Sequence, residues 1–256
     1  MKLSQRPRVC VVNYLNTVPL VWGMLHGEQR DLFDLSFALP SECADRLADG
    51  RADIGIVPAI ELTRQDLVIT ADTAIACRGP VRSILLVSKV PFDRIRTVAG
   101  DSSSRTSVVL VEIILRRKYG ADPVVESHAP QLELMLAKCD AALIIGDPAL
   151  RIDPSTLPFR WLDLGREWTT MTGLPMVFAV WAGRHRYDPE PFDASLRYGL
   201  DHLDDIVEAE YGRRGITAEL TREYLTHNVA FELGRVEREG LDLYLEYAQA
   251  RRPVLL

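Results

Sequence analysis

The sequence contains few cysteines, and their positions argue against two kinds of site. Only four occur among the 256 residues, with no CxxC pair and no histidine at ligand spacing. They are Cys10, Cys43, Cys77 and Cys139. A zinc site or a disulfide framework is therefore poorly supported, and we expect no metal. Isolated cysteines in apolar runs are typical of buried free thiols, so we expect a reducing, cytoplasmic location.

Long apolar runs and an excess of basic residues are missing too. The longest apolar runs are far shorter than the ~20 residues that span a bilayer, so we expect no membrane partner. The amino-terminal residues resemble a signal peptide but lack a small-residue cleavage site, so we interpret them as mature protein. The net charge is −6 and the basic residues form no cluster, which argues against nucleic acid. We interpret the Arg213-Arg214 pair as solvated.

Several catalytic motifs are missing as well. The sequence has no GxSxG, HExxH, GxGxxG or Walker pattern, which argues against the enzyme classes that depend on them. The five histidines have no paired nucleophile, and none is singled out as a base.

Short apolar runs alternate with amphipathic stretches, which is typical of an α/β fold with a parallel sheet. We expect two α/β lobes joined by a double hinge, with a cleft between them. Residues 1–88 plus 183–256 are predicted to form the first lobe, and 89–182 an inserted second lobe. Within this scheme, residues 162–172 are predicted to be a connecting helix, and the chain from residue 189 onward is predicted to be helical.

The most informative polar stretch is the octet at residues 12–19. Tyr14, Asn16 and Thr17 follow an apolar strand and precede a helix pattern. That position is the carboxyl edge of a strand, where open α/β sheets bind ligands. Folding does not require so many neutral hydrogen-bonding groups there, so the octet predicts a site for a small polar ligand.

A second polar cluster follows another predicted strand. Residues 100–107 contain four serines, an arginine and a threonine at a predicted helix start, where backbone N–H groups and the helix dipole favour an anion. Ser103, Arg105, Thr106 and Ser107 are the candidates for binding a carboxylate. An ordinary helix cap is the alternative, but it needs only one hydroxyl.

Three further positions have a structural interpretation from the sequence. Ser41 is predicted to cap the second helix. Asp147, before Pro148, is slightly better interpreted as a helix cap than as a group at the cleft edge. Ser83 opens a strand and has no chemical signal of its own.

The combined motifs resemble one enzyme family. The blocks that carry the resemblance are residues 14–20, 40–41, 50–58, 104–107, 145–150, 163–168 and 172–181. In this order they are similar to the chorismate dehydratases of the futalosine route to menaquinone. The resemblance implies a type II periplasmic-binding-protein-like fold and a lyase that removes water from chorismate, a dicarboxylate, without a cofactor. One position departs from the family pattern, since Asn13 stands where a serine is expected.

The resemblance also implies roles for residues. Asn16 and Ser83 match positions associated with catalysis, and Tyr14, Thr17, Ser41 and Asp147 join the carboxylate candidates as substrate-binding residues. No histidine or glutamate in the polar clusters is a clear base, so we expect the enolpyruvyl carboxylate of the substrate to take the proton.

Other functions remain open from the sequence. Most proteins of this architecture only bind solutes, so a solute-binding protein is the main alternative, and a ligand-sensing module is another. A transport protein normally needs a secretory signal, and a regulator a DNA-binding segment. Neither is evident, which favours the enzyme. The predicted C-terminal helices suit a monomer or a homodimer equally well.

Overall fold

The computed structural model describes residues 6–250, which form two β-sheets with helices packed on them. The first sheet has six strands in the order β11-β4-β10-β3-β1-β2. They are β1 (Arg8–Val12), β2 (Asp34–Ala38), β3 (Ile54–Pro58), β4 (Val68–Cys77), β10 (Met176–Gly183) and β11 (Ala230–Glu232). β1 runs parallel to β2 and β3, whereas β10 is antiparallel to β3 and β4.

The second sheet has five strands in the order β7-β6-β8-β5-β9. They are β5 (Ile84–Ser88), β6 (Thr97–Asp101), β7 (Val124–His128), β8 (Ala141–Ile145) and β9 (Arg160–Asp163). β6 is parallel to β7 and β8, and β5 is antiparallel to β8 and β9. The chain passes from the first sheet to the second after β4 and returns at β10, which gives the two-lobed α/β architecture.

Ten α-helices cover the sheets in the described part of the chain. They are α1 (Val18–His26), α2 (Pro40–Ala48), α3 (Thr106–Tyr119), α4 (Leu132–Lys138), α5 (Gly146–Leu150), α6 (Leu164–Thr172), α7 (Glu190–Asp201), α8 (Leu203–Arg214), α9 (Ala218–Glu223) and α10 (Arg235–Ala250). A π-helical turn, Tyr224–Asn228, continues α9. None of the helices in residues 6–250 has the length and apolar character needed to cross a membrane.

The central strands are buried along nearly their whole length. Every residue of β3, β5 and β8 is buried, as are Val9–Val12 of β1. Strands with helices on both faces have no solvated side, so they appear in the sequence as continuous apolar runs rather than as an alternation. This is why the sequence indicated these strands clearly.

The chain changes sheet between β4 and β5 and again between β9 and β10. β5, at residues 84–88, belongs to the second sheet, and β10, at 176–183, belongs to the first. A fully buried strand has the same apolar pattern in either sheet, so composition does not show which sheet it joins.

Three predictions about single helices and strands were wrong. Ser41 does not cap α2, because Leu39 is the cap residue and Ser41 lies within the helix. Residues 162–163 end β9, so the predicted helix at 162–172 begins only at Leu164. The helical prediction after residue 189 missed β11, a three-residue strand at the edge of the first sheet.

The four cysteines are buried free thiols. The sulfur atoms of Cys10 and Cys43 lie 3.1 Å apart between β1 and α2. The hydrogen bond from Cys43 lowers the pKa of Cys10 to about 7.

Candidate functional site

The site is a cavity between the two lobes, with lining residues from both. Residues of β1, β3, β4 and β10 from the first sheet and of β5 and β8 from the second line it. The polar side chains that line it are Tyr14, Asn16, Thr17, Ser83, Ser104, Thr106 and Ser107. Much of the remaining wall is apolar, with Ile56, Ile75 and Phe178 among its residues.

The polar lining is electrically neutral. Of the lining residues described, only Tyr14 has a titratable side chain, and burial raises its pKa to about 12. The lining therefore presents no carboxylate or imidazole as a base, and no arginine as an ion-pair partner. An anion in this cavity would meet hydroxyls, the amide of Asn16 and the positive end of α3, which has 14 residues and begins at Thr106.

Asn16 is held at the end of the first strand. The 3-10 turn Leu15–Thr17 follows β1 and leads directly into α1. The Thr17 hydroxyl donates to the Asn16 Oδ1 atom at 3.2 Å. The amide oxygen is thereby occupied, and the amide N–H₂ group remains as the donor.

Ser83 is held where the chain crosses between the lobes. Its backbone oxygen accepts from the Gly146 N–H at 2.8 Å, and its hydroxyl lies 2.8 Å from the Tyr224 hydroxyl. The preceding Arg82 has φ of 63°, which is strained for a residue with a side chain. Asp163 stabilises this conformation by accepting the N–H groups of Val81 and Arg82 at 3.0 and 2.7 Å.

The Tyr14 ring packs directly against Gly146. Gly146 has φ of +63°, and a Cβ atom added there would lie 2.7 Å from the ring, so this contact requires glycine. The Tyr14 hydroxyl bonds the Ser103 hydroxyl at 3.0 Å, and Ser103 in turn donates to Asp101 at 2.7 Å. Ser103 therefore orients Tyr14 and does not itself line the cavity.

Asp147 and Arg214 form a buried connection between the lobes. Asp147 Oδ1 accepts the Leu15 N–H at 3.0 Å, and its other oxygen pairs with Arg214. Arg214 also binds Glu210 at 2.6 Å. The prediction that Asp147 caps α5 was wrong, since Ile145 is the cap residue. The prediction that Arg214 is solvated was also wrong, because only 7% of its surface is exposed.

Six of the ten predicted site residues line the cavity: Tyr14, Asn16, Thr17, Ser83, Thr106 and Ser107. Four do not: Ser41, Ser103, Arg105 and Asp147. Arg105 is paired with Asp45 at 2.7 Å and Glu61 at 3.1 Å, so its charge is already satisfied. Ser41 contacts the second lobe through its backbone N–H, which donates to the Ser103 oxygen at 3.1 Å.

Sequence reasoning missed two residues. Ser104 lines the cavity, and its hydroxyl accepts the Ser107 N–H at 3.2 Å. It belongs to the serine run that was recognised, so the signal existed. Tyr224 had no signal, because it lies 141 positions from its partner Ser83 in a stretch predicted to be helical.

One group of potential metal ligands lies elsewhere on the second lobe. The side chains of Glu126, His128 and Cys139 have ligand atoms within 4.8 Å of one another. Glu126 and His128 also contact each other at 3.5 Å. None of the three lines the cavity.

Comparison with solved structures identifies the fold. The chain superposes on a protein from Archaeoglobus fulgidus with a TM-score of 0.76 and 16% identity, covering 97% of this chain and 98% of the other. The periplasmic aliphatic sulphonate binding protein of Escherichia coli gives a TM-score of 0.64 at 16% identity, covering 95% and 85%. The predicted periplasmic-binding-protein-like fold is confirmed.

Comparison of sequences identifies the family. The chain is 32% identical over 255 residues to a chorismate dehydratase of Thermus thermophilus, covering 91% of this chain and 92% of the relative. A chorismate dehydratase of Campylobacter jejuni is 27% identical over 176 residues, or 66% of this chain and 63% of the relative. A family model described as menaquinone biosynthesis matches residues 7–250. The resemblance predicted from the sequence motifs is confirmed, and the chain belongs to this menaquinone biosynthesis family, as a relative of the chorismate dehydratases.

Proposed function

We propose that the protein is a chorismate dehydratase, which converts chorismate to 3-[(1-carboxyvinyl)oxy]benzoate and water. The observation that carries the proposal is the neutral cleft, where the Asn16 amide and the Ser83 hydroxyl share one cavity with the amino terminus of α3. Its relatives of that name support the choice of substrate.

The reaction needs a base and help for a leaving group. The ring proton at C3 is removed and the C4 hydroxyl is expelled, and the ring becomes aromatic, which favours the product. The proton and the expelled hydroxide together make up the water that is released. A positioned base contributes about 10²–10⁴-fold to the rate of such a step.

The substrate itself is the proposed base. Since the lining offers no carboxylate or imidazole, the enolpyruvyl carboxylate of chorismate takes the C3 proton. The protein then acts mainly by holding the carboxylate near that proton, an orientation effect that lowers the entropic barrier. Ser83 and Asn16 donate hydrogen bonds to the departing hydroxyl or to the carboxylate.

The substrate-binding roles follow from the positions in the cleft. Thr106, Ser107 and the positive end of α3 receive a carboxylate, in keeping with the preference of helix amino termini for anions. Tyr14 and Thr17 also line the cavity. We expect a carbon–oxygen lyase that needs no cofactor and acts in the cytoplasm.

The test is incubation of the purified protein with chorismate, followed by chromatography and mass analysis of the product. Formation of the enolpyruvyl-oxybenzoate, absent with heat-denatured protein, is the expected result. Calorimetric titration with chorismate runs in parallel. Tight binding without conversion would contradict the enzyme and favour a solute-binding protein.

A further inference from the structure

Tyr224 lies behind the cleft, in direct contact with its catalytic candidates. Its side chain is fully buried, and its hydroxyl is 2.8 Å from the Ser83 hydroxyl. The Asn16 side chain also lies near enough to the Tyr224 hydroxyl to lower its pKa. Tyr224 therefore adjoins two residues of the cavity lining, Asn16 and Ser83.

The donor and acceptor chemistry of this group favours one direction for its hydrogen bonds. Thr17 donates to the Asn16 oxygen, so the Asn16 amide meets Tyr224 with its N–H₂ group, which can only donate. The Tyr224 oxygen accepts that proton, and its own O–H is then directed at Ser83. Ser83 accepts from Tyr224, and its single proton is left to point elsewhere, toward the cavity that it lines.

Tyr224 remains a donor over the whole working pH range. Burial raises its pKa well above the usual value, and the nearby Asp147 acts in the same direction. These effects exceed the opposing influence of the Ser83 and Asn16 side chains. A phenol that does not ionise cannot serve as the base, but it keeps its hydrogen bonds in the same direction over this pH range.

The backbone around Tyr224 fixes its position. The residue opens the π-helical turn 224–228, and π-helical turns are frequent at functional sites. Asn228 in the same turn donates to the Pro80 oxygen at 3.1 Å, which ties the turn to the loop that carries Ser83. The phenol and the serine thus belong to one connected unit.

We propose that Tyr224 is a positioning residue that orients a hydrogen-bond chain from Asn16 through Tyr224 to Ser83, so that the Ser83 hydroxyl donates its proton into the cleft. The proposal rests on the proposed function, because the donated proton assists the leaving hydroxyl of chorismate.

The central test is Tyr224→Phe, which keeps the ring in the core and removes only the hydroxyl. Without the donor, the Ser83 proton is free to turn away from the ligand. We expect kcat to fall about 10- to 100-fold, the size of a misplaced catalytic group, with KM changed less than about threefold. The matched control is Tyr119→Phe, whose hydroxyl donates to Glu167 at 2.8 Å outside the cleft, and which keeps the kcat of the unmodified protein.

A double-variant cycle separates positioning from a structural role. If Tyr224 acts through Ser83, Ser83→Ala and the Ser83→Ala/Tyr224→Phe double variant have nearly the same kcat, because the chain is already broken. Losses that multiply would overturn the proposal, as would a Tyr224→Phe variant with unchanged kcat.

A second variant covers the case in which Tyr224→Phe fails to fold. Thr17→Val removes the hydroxyl that orients the Asn16 amide, while Thr17→Ser retains it. We expect a lower kcat in the valine variant and recovery in the serine variant, and equal rates in both would contradict the directed chain. If the unmodified protein does not convert chorismate at all, the proposed function has failed, and the role of Tyr224 fails with it.

Discussion

Asn16 is the one amide side chain that lines the cleft, among hydroxyls and apolar groups. Its oxygen is occupied by Thr17 and its N–H₂ group faces Tyr224 and the cavity. A side chain of similar size that cannot donate would offer no N–H group to Tyr224 or to a ligand in the cavity. Asn16 therefore has the most demanding position in the proposed mechanism.

We expect Asn16→Leu to lower kcat by about 10²-fold or more, the usual cost of losing one donor aimed at developing charge. Asn16→Asp should be equally slow, because a carboxylate there repels an anionic substrate. Steady-state kinetics with chorismate measures both. Asn13→Leu is the control, since Asn13 is a nearby exposed amide outside the cavity, and near-normal rates in both Asn16 variants would refute the role of Asn16.

The adjacent arginines 213 and 214 have opposite surroundings. The Arg213 side chain is 65% exposed and lies 3.5 Å from Glu210, whereas Arg214 is buried between Glu210 and Asp147. The sequence could not distinguish them, because only the docking of α8 against the second lobe decides which one is enclosed.

Arg214→Met should destabilise the protein by about 3–5 kcal/mol, since it removes the buried positive charge that compensates the Asp147 and Glu210 carboxylates. Arg213→Met should change the free energy of unfolding by less than about 1 kcal/mol, as expected for an exposed pair. Urea unfolding followed by circular dichroism measures both. Similar losses of unfolding free energy in the two variants would show that the buried ion pairs of Arg214 stabilise the protein no more than the exposed pair of Arg213.

At the level of whole elements, the sequence predicted a strand or helix correctly where the residues of that element alone determine its structure. The apolar runs predicted the core strands, and α1 and α3 begin at the polar stretches 12–19 and 100–107, as predicted. β11 was not predictable, since its three residues form a strand only by pairing with β4. The cap of α2 was misplaced because a serine near a helix start is common whether or not it caps.

Asp140 joins two strands of the second sheet. Its carboxylate accepts the N–H groups of Arg96 and Thr97 at 2.9 and 3.1 Å, just before β6. These hydrogen bonds, with that of Arg96 the largest, hold the pKa of Asp140 below its usual value. A lowered pKa in the folded state means that this stabilisation is full above the unfolded value, about 4, and is lost as the pH falls below it.

We expect Asp140→Asn to be less stable than the unmodified protein at pH 6, with the difference shrinking toward zero near pH 2–3. Thermal unfolding at a series of pH values measures it. The control is Asp122→Asn, whose carboxylate is 71% exposed on the surface and should give a small difference. A stability difference between Asp140→Asn and the unmodified protein that stays constant with pH would contradict the role given to the Asp140 hydrogen bonds.

At the scale of the whole molecule, the two-lobed plan was predictable. Alternating runs and helices indicated two α/β units, and the structure has two sheets, with β5 in the second and β10 in the first. The polar clusters at 12–19 and 100–107 were recognised because each follows a strand end. Tyr224 was out of reach of sequence reasoning, since its role depends on a contact between residues 141 positions apart.

The neutral lining of the cleft has a consequence for how the reaction rate should respond to pH. Tyr14, the one titratable residue of the lining, has a pKa of about 12, so the cleft keeps a single protonation state through the neutral range. The usual bell-shaped curve of an enzyme with its own acid and base should be replaced by a plateau from about pH 6 to 9. Any fall of kcat at low pH would reflect protonation of the chorismate carboxylates. A titration of free chorismate would give the pKa values for comparison. Measurement of kcat across this range tests the expected plateau. Any pH dependence of the rate would then come from the ligand rather than from the protein.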